Sequence, residues 1–135
     1  MSQTMSQFFL NFKREICDVR TKLVKALLDV VIASVLKSWG PLSGYKTIEY
    51  IYRVTKVFTS PSLIYPILNQ MERKDLIEKM MVNNRGGVYK LTVKGEKWLF
   101  ATLNDILKLQ SYLNSMVNHS PEKDIWMEEL EILTD

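Results

Sequence analysis

Cysteine and histidine are nearly missing: one of each, Cys17 and His119, in 135 residues. A single cysteine excludes an internal disulfide and suits a cytoplasmic protein. Cys17 lies among helical apolar residues, where a thiol is inert, and His119 falls in a polar stretch fitted to a solvent-exposed link. The sequence has no zinc-ligand spacing, phosphate-binding loop or nucleophile–base signature. Dispersed carboxylates such as Glu72 and Glu78 carry nothing in the sequence that joins them. Neither an enzyme, a metal site nor a cofactor is expected. Long apolar runs are also lacking. The strongest, "LVKALLDVVIASVLKSW", is interrupted by Lys25, Asp29 and Lys37, whereas a bilayer span needs roughly 20 mostly apolar residues. "MSQTMSQFFLNFKRE" has no basic lead before a long apolar run, so no secretory signal and no membrane partner are expected.

What is present reads as one compact soluble domain, with 47% hydrophobic and 24% charged residues. The net charge of +3 hides an asymmetry. Residues 122–135 hold six acids and one base, which leaves the remainder with 17 bases against nine acids, or +8. A basic body is compatible with a nucleic-acid partner, and equally with a surface that lysine merely solvates.

Ser6 to Ser38 contains no glycine or proline. Phe9, Phe12, Ile16, Val19, Leu23, Ala26, Val30 and Ala33 recur there by threes and fours, which predicts one long helix, or two with a bend near Arg20 to Lys22. Its apolar face would pack on its own domain or on a partner chain. "GPLSG" ends it, and Ser43 caps a second helix running to about Lys56. In the third helix Ser60 is the expected N-cap and Pro61 the first residue, where a missing N–H costs nothing. Pro66 falls one turn inside, close enough to the start for the damage to be limited. "LIEKMMV" and "VYKLTV" around "NNRGG" predict a hairpin, with Tyr89, Leu91 and Val93 inward and Val88, Lys90 and Thr92 outward. A long helix follows from about Lys94 to Val117, and Ser120 and Pro121 would start a short acidic terminal helix.

At about 100° per residue, Ile64, Ile67, Leu68 and Met71 share one buried stripe of the third helix. Ser62, Tyr65, Pro66, Asn69, Gln70 and Arg73 fall opposite, without an acid. Amide and guanidinium groups match base edges in a DNA major groove; a merely polar surface is the plain alternative. Three helices and a two-stranded hairpin in this order make a winged helix-turn-helix, mainly α with a small β-hairpin. The third helix, about 61–74, would enter the major groove, flanked by Ser60 and Lys74. Arg85 and Lys90 on the wing, about 76–93, would reach the backbone or minor groove.

"GPLSGY", "SPSLIYPILNQMERKDLI" and "VYKLTVKG" resemble the PadR-type transcriptional regulators in order and spacing, over roughly Leu27 to Leu113. The resemblance implies a dimeric winged-helix regulator whose C-terminal helix builds the dimer. It carries over Ser60, Tyr65 as a phosphate contact, the Glu72 end of the helix, Arg85, Tyr89 as structural, and Gly95. Ser62 and Leu63 replace the usual Gly-Thr pair, and the hairpin tip has one arginine where several are common. Relatives of this kind sometimes respond to aromatic compounds, so Trp39 and Trp98 either pack in the core or line a pocket for a small aromatic effector.

The expected organisation is an N-terminal helical extension (1–22), the DNA-binding domain (23–93), a dimerisation helix (94–118) and an acidic C-terminal helix (119–135). Leu99, Leu103, Ile106, Gln110, Leu113 and Val117 form the expected seam, joined by Phe9, Phe12 and Ile16 from the first helix. Gln110 is the polar residue that would fix register. Leu107, Leu109, Tyr112 and Met116 add a second apolar side, which a homodimer would bury. In the tail, Trp126, Leu130 and Leu133 form a stripe that docks on the body, covers the basic face or contacts another protein. Two functions remain open. One is sequence-specific binding of double-stranded DNA by a homodimeric transcriptional regulator. The other is a protein-interaction module of the same fold without DNA, docking through Phe8–Phe12 or the acidic tail.

Overall fold

The computed structural model describes residues 2–83 and 86–118, with all their side chains except those of residues 2, 3, 12, 13 and 15–17. Arg85 and the acidic tail lie outside the described residues, as do the side chains of Phe12 and Ile16. The chain divides into two compact units at Leu99/Phe100.

The first unit begins with α1 (Ser2–Ala26) and α2 (Leu28–Trp39). The break falls at Leu27, not near Arg20 to Lys22. Its cause is local: Asp29 Oδ1 accepts the Val30 N–H at 2.8 Å, a donor that an unbroken ladder would direct to Ala26. Leu27 sits at φ −109°, ψ 33°, yet its N–H still reaches the Leu23 carbonyl and its own carbonyl receives the Val31 N–H, both at 2.9 Å. The helix bends there without separating.

Three helices make the core. In α2, Leu28, Ile32, Ala33, Val35 and Leu36 are buried. They meet Thr47, Ile48 and Ile51 of α3 (Gly44–Thr55) and Ile64, Leu68 and Met71 of α4 (Pro61–Arg73). Ser43 caps α3 as expected, its hydroxyl accepting the Lys46 N–H at 3.1 Å. Lys56 closes the helix in the left-handed region at φ 62°.

The wing is an antiparallel pair, β1 (Ile77–Met81) and β2 (Gly87–Leu91), in register Ile77–Leu91, Lys79–Tyr89 and Met81–Gly87. On the other side of β2, Leu42 exchanges two hydrogen bonds with Tyr89, at 2.7 and 3.1 Å. That ties the turn before α3 to the wing, and Tyr89 is buried as expected. Val93, expected inward, is instead exposed as the first residue of α5 (Val93–Asn118). The strand alternation stops one residue earlier, because Thr92 leaves the ladder to become a cap. Its hydroxyl donates to the carbonyls of Asp75 (2.6 Å) and Leu76 (3.0 Å) and accepts the Gly95 N–H at 2.9 Å. Gly95 is required at this joint: a Cβ there would fall on the Leu76 carbonyl oxygen.

From Phe100 onward the second unit is described to Asn118 and is helical. Among the described residues no helix is long and apolar enough to cross a membrane.

Candidate nucleic-acid interface

The site is built on α4. Ile64 and Leu68 are fully buried and Met71 nearly so, which fixes the rotation of the helix and turns Ser62, Tyr65, Pro66, Asn69 and Arg73 outward, all exposed. Pro61 occupies the first helical position. Ser60 takes the N-cap position, but its hydroxyl pairs with that of Ser62 at 3.0 Å and caps no backbone N–H. Pro66 does not interrupt α4. Because Ser62 and Pro66 are both exposed, water can satisfy the carbonyl that loses its helical donor.

The exposed face is chemically available. Arg73 makes one contact, Nε to the Asn69 carbonyl at 3.4 Å, and no ion pair among the described residues. The side-chain amides of Asn69 and Gln70 have no partner there either. Gln70 sits at the flank of the face. With Lys74, Asp29, Met71, Leu76, Lys94 and Trp98 it lines a cleft of about 340 Å³. Lys74 ends the helix, its N–H on the Gln70 carbonyl at 3.1 Å.

Tyr65 occupies the opposite flank, and its seat is a glycine. A Cβ at Gly44 would lie 2.7 Å from Tyr65 Cζ and Oη, so the ring rests on the bare backbone that opens α3. This contact joins "GPLSGY" to the third helix and was not readable from residue spacing. Nearby, Glu49 accepts hydrogen bonds from Lys46 Nζ (3.0 Å) and Arg53 Nη2 (2.8 Å). The Lys46 hydrogen bond is the main cause holding the Glu49 carboxyl below its ordinary value. Both bases of α3 are thereby paired with a carboxylate, unlike Arg73 of α4.

On the wing, Lys90 is exposed and stands opposite Glu78 in register without an ion pair. Lys79 folds back toward the Tyr89 ring, its Nζ 5.8 Å from the centroid. Sequence reasoning missed the apolar end of β1: Met80, Met81 and Val82 are exposed. The two other tryptophan expectations separate. Trp98 lines the cleft beside Gln70, whereas Trp39 stands outside the core. It is 47% exposed and stacks on Tyr50 with ring centroids 5.0 Å apart.

Of the seam residues, Leu99 is 2% exposed within the first unit's own core. The three-and-four spacing ran from the core into the seam without a visible boundary, so Leu99 is not free for a partner. Leu103, Gln110, Leu113 and Val117 are exposed, Ile106 is half-buried, and Phe9 on α1 is exposed.

No protein-family model matches the sequence, and no curated protein does. Solved structures do. A transcriptional regulator from Clostridium thermocellum matches with a TM-score of 0.64 at 19% identity, over 73% of this chain and 97% of its own. A PadR-like transcriptional regulator from Bacillus cereus matches at 0.63 and 20%, over 74% and 100%. A PadR family regulator from Eggerthella lenta matches at 0.65 and 15%, over 82% and 99%. At these identities the likeness is one of architecture: the chain has the winged-helix fold of the PadR-like regulators.

Proposed function

We propose that the chain is a transcriptional regulator that binds double-stranded DNA sequence-specifically as a homodimer, α4 in the major groove and the wing on backbone or minor groove. One observation carries this reading: an acid-free face of amides and a guanidinium, exposed and in no ion pair among the described residues, on a helix whose rotation the core fixes. That the structural neighbours are transcriptional regulators supports it. Ser60, Ser62, Tyr65, Asn69, Gln70, Arg73 and Lys74, with Arg85 and Lys90 on the wing, form the interface. A second copy covers the exposed apolar residues of α5 and α1, among them Leu103, Leu113, Val117 and Phe9, and sets two half-sites about one DNA turn apart. The cleft beside Trp98 is the place for a small aromatic effector, since it adjoins Gln70 of α4 and Lys74 at that helix's end.

Selection of bound genomic fragments at two salt concentrations tests the proposal, with enrichment of one near-palindromic site as the expected outcome. Arg73→Ala should then lose about 1–3 kcal/mol of discrimination between sites. Lys90→Ala should weaken all sites alike and lower the salt slope by about 1. Equal loss on every sequence from Arg73→Ala would show that it does not read bases.

A second reading, a protein-interaction module, is favoured by a shallow, mostly apolar cleft of about 440 Å³ lined by Tyr45, Ile48, Glu49, Tyr52 and Arg53 of α3 and by Phe58 beyond its end. Absence of any salt-sensitive DNA binding would select it.

A further inference from the structure

We infer that the main-chain carbonyl of Ser62, freed by Pro66, is a base-reading acceptor on α4, and that it takes the amino group of a cytosine; this deepens the DNA-binding reading above and rests on it. In an α-helix each carbonyl receives the N–H four residues further on, so the Ser62 carbonyl belongs to residue 66. That residue is a proline inside the helix, and it brings no N–H. Buried, such a carbonyl would be a defect. Here Ser62 and Pro66 are both exposed, on the face that burial of Ile64, Leu68 and Met71 turns outward. The hydroxyl of Ser62 is already engaged, with Ser60 Oγ at 3.0 Å.

Two features turn a freed acceptor into a reader. The first is relief. Residues 62 and 66 stand one above the other on one side of the helix, and both are short beside Tyr65, Asn69 and Arg73 of the same face. The backbone therefore comes nearest to a groove floor between them. This notch lies in the N-terminal half of α4, the part of a recognition helix that meets base edges. The second feature is chemistry. In the major groove guanine is matched by a guanidinium and adenine by an amide, and the face has both, in Arg73 and in Asn69 and Gln70. Cytosine presents only an amino donor there, which a carboxylate ordinarily accepts, and this face holds no acid. The Ser62 carbonyl supplies the missing acceptor. Unlike a carboxylate, it has no side-chain freedom to lose and adds no negative charge between the phosphate strands.

The test pairs a change in the protein with a change in the base, on the full chain and the site enriched by genomic selection. Each cytosine of a half-site is replaced in turn by 2-pyrimidinone, which is cytosine without its amino group. Binding is measured by fluorescence anisotropy for the wild type and for Pro66→Ala, whose restored N–H takes back the Ser62 carbonyl. At one position the wild type should lose affinity by about threefold to tenfold, the worth of one hydrogen bond, and Pro66→Ala should not respond there. The weaker pairing of the analogue with guanine is common to both proteins and cancels. Ser62→Ala keeps the carbonyl and should respond as the wild type does. Thermal unfolding of Pro66→Ala should move to higher temperature, since alanine is the better helix former, so a lost response is not a folding defect. Equal responses of wild type and Pro66→Ala at every cytosine would overturn the inference and leave the DNA-binding reading standing. A Pro66→Ala loss uniform over all sequences would overturn it too, assigning the proline to the course of the helix. So would a Ser62→Ala variant that no longer responds, which would make the hydroxyl the reader. A wild type that selects no site overturns both readings.

Discussion

Gly44→Ala separates positioning from folding. The added Cβ would stand 2.7 Å from Tyr65 Cζ and Oη and 2.8 Å from Cε1. Ordinary carbon contacts begin near 3.5 Å, so the ring must retreat by about 1 Å. It can do so: Tyr65 is 41% exposed, and the atoms struck are the far end of a side chain with two rotatable bonds. The helix itself loses nothing, since Gly44 is the first residue of α3 and alanine is favoured over glycine in a helix, by at most about 1 kcal/mol. Thermal unfolding should therefore change by no more than about 1 kcal/mol. DNA binding should suffer more. A hydrogen bond from a hydroxyl to a charged phosphate is worth about 1.5–3 kcal/mol, so its displacement should raise Kd roughly tenfold or more. The decisive assay is a double-mutant cycle by fluorescence anisotropy, with Tyr65→Ala as the second change. If Tyr65 is the mediator, Gly44→Ala costs almost nothing once the ring is gone, giving a coupling above about 0.5 kcal/mol. The same loss in both backgrounds would refute the reasoning, and so would a large drop in stability.

Gly95→Ala should be far more damaging, by about 3 kcal/mol or more, because the clash is with the Leu76 backbone and not with a movable tip; a denaturant titration would show the midpoint falling. Thr59→Val should do the opposite. The Thr59 hydroxyl is buried without a partner among the described residues, so an apolar isostere should stabilise the fold by about 1 kcal/mol, read as a higher Tm.

Element order and the rotation of α4 are legible in the sequence because both follow from periodic burial: Ile64, Leu68 and Met71 leave the opposite face only one way to point. The misreadings share a different origin. The bend at Leu27 is made by the Asp29 carboxylate taking one backbone donor, an event to which an apolar repeat is blind. The pattern places Val93 inward because alternation has no marker for the residue at which a strand becomes a cap. Leu99 looked like the rest of its series because core and seam use the same leucines at the same spacing. The Tyr65 seat depends on what a glycine leaves empty, and an absent side chain has no periodicity to detect.

The Thr92 knot also says where this architecture tolerates changes in length. One hydroxyl holds the turn after α4, the root of the ribbon and the first turn of α5 at fixed separations, so adding or deleting a residue between 92 and 95 would pull all three out of register. Val82 and Gly86, by contrast, are joined by one backbone hydrogen bond, at 3.4 Å. Within the wing, insertions belong at its end, and the hinge against α5 should keep its length as the rest varies.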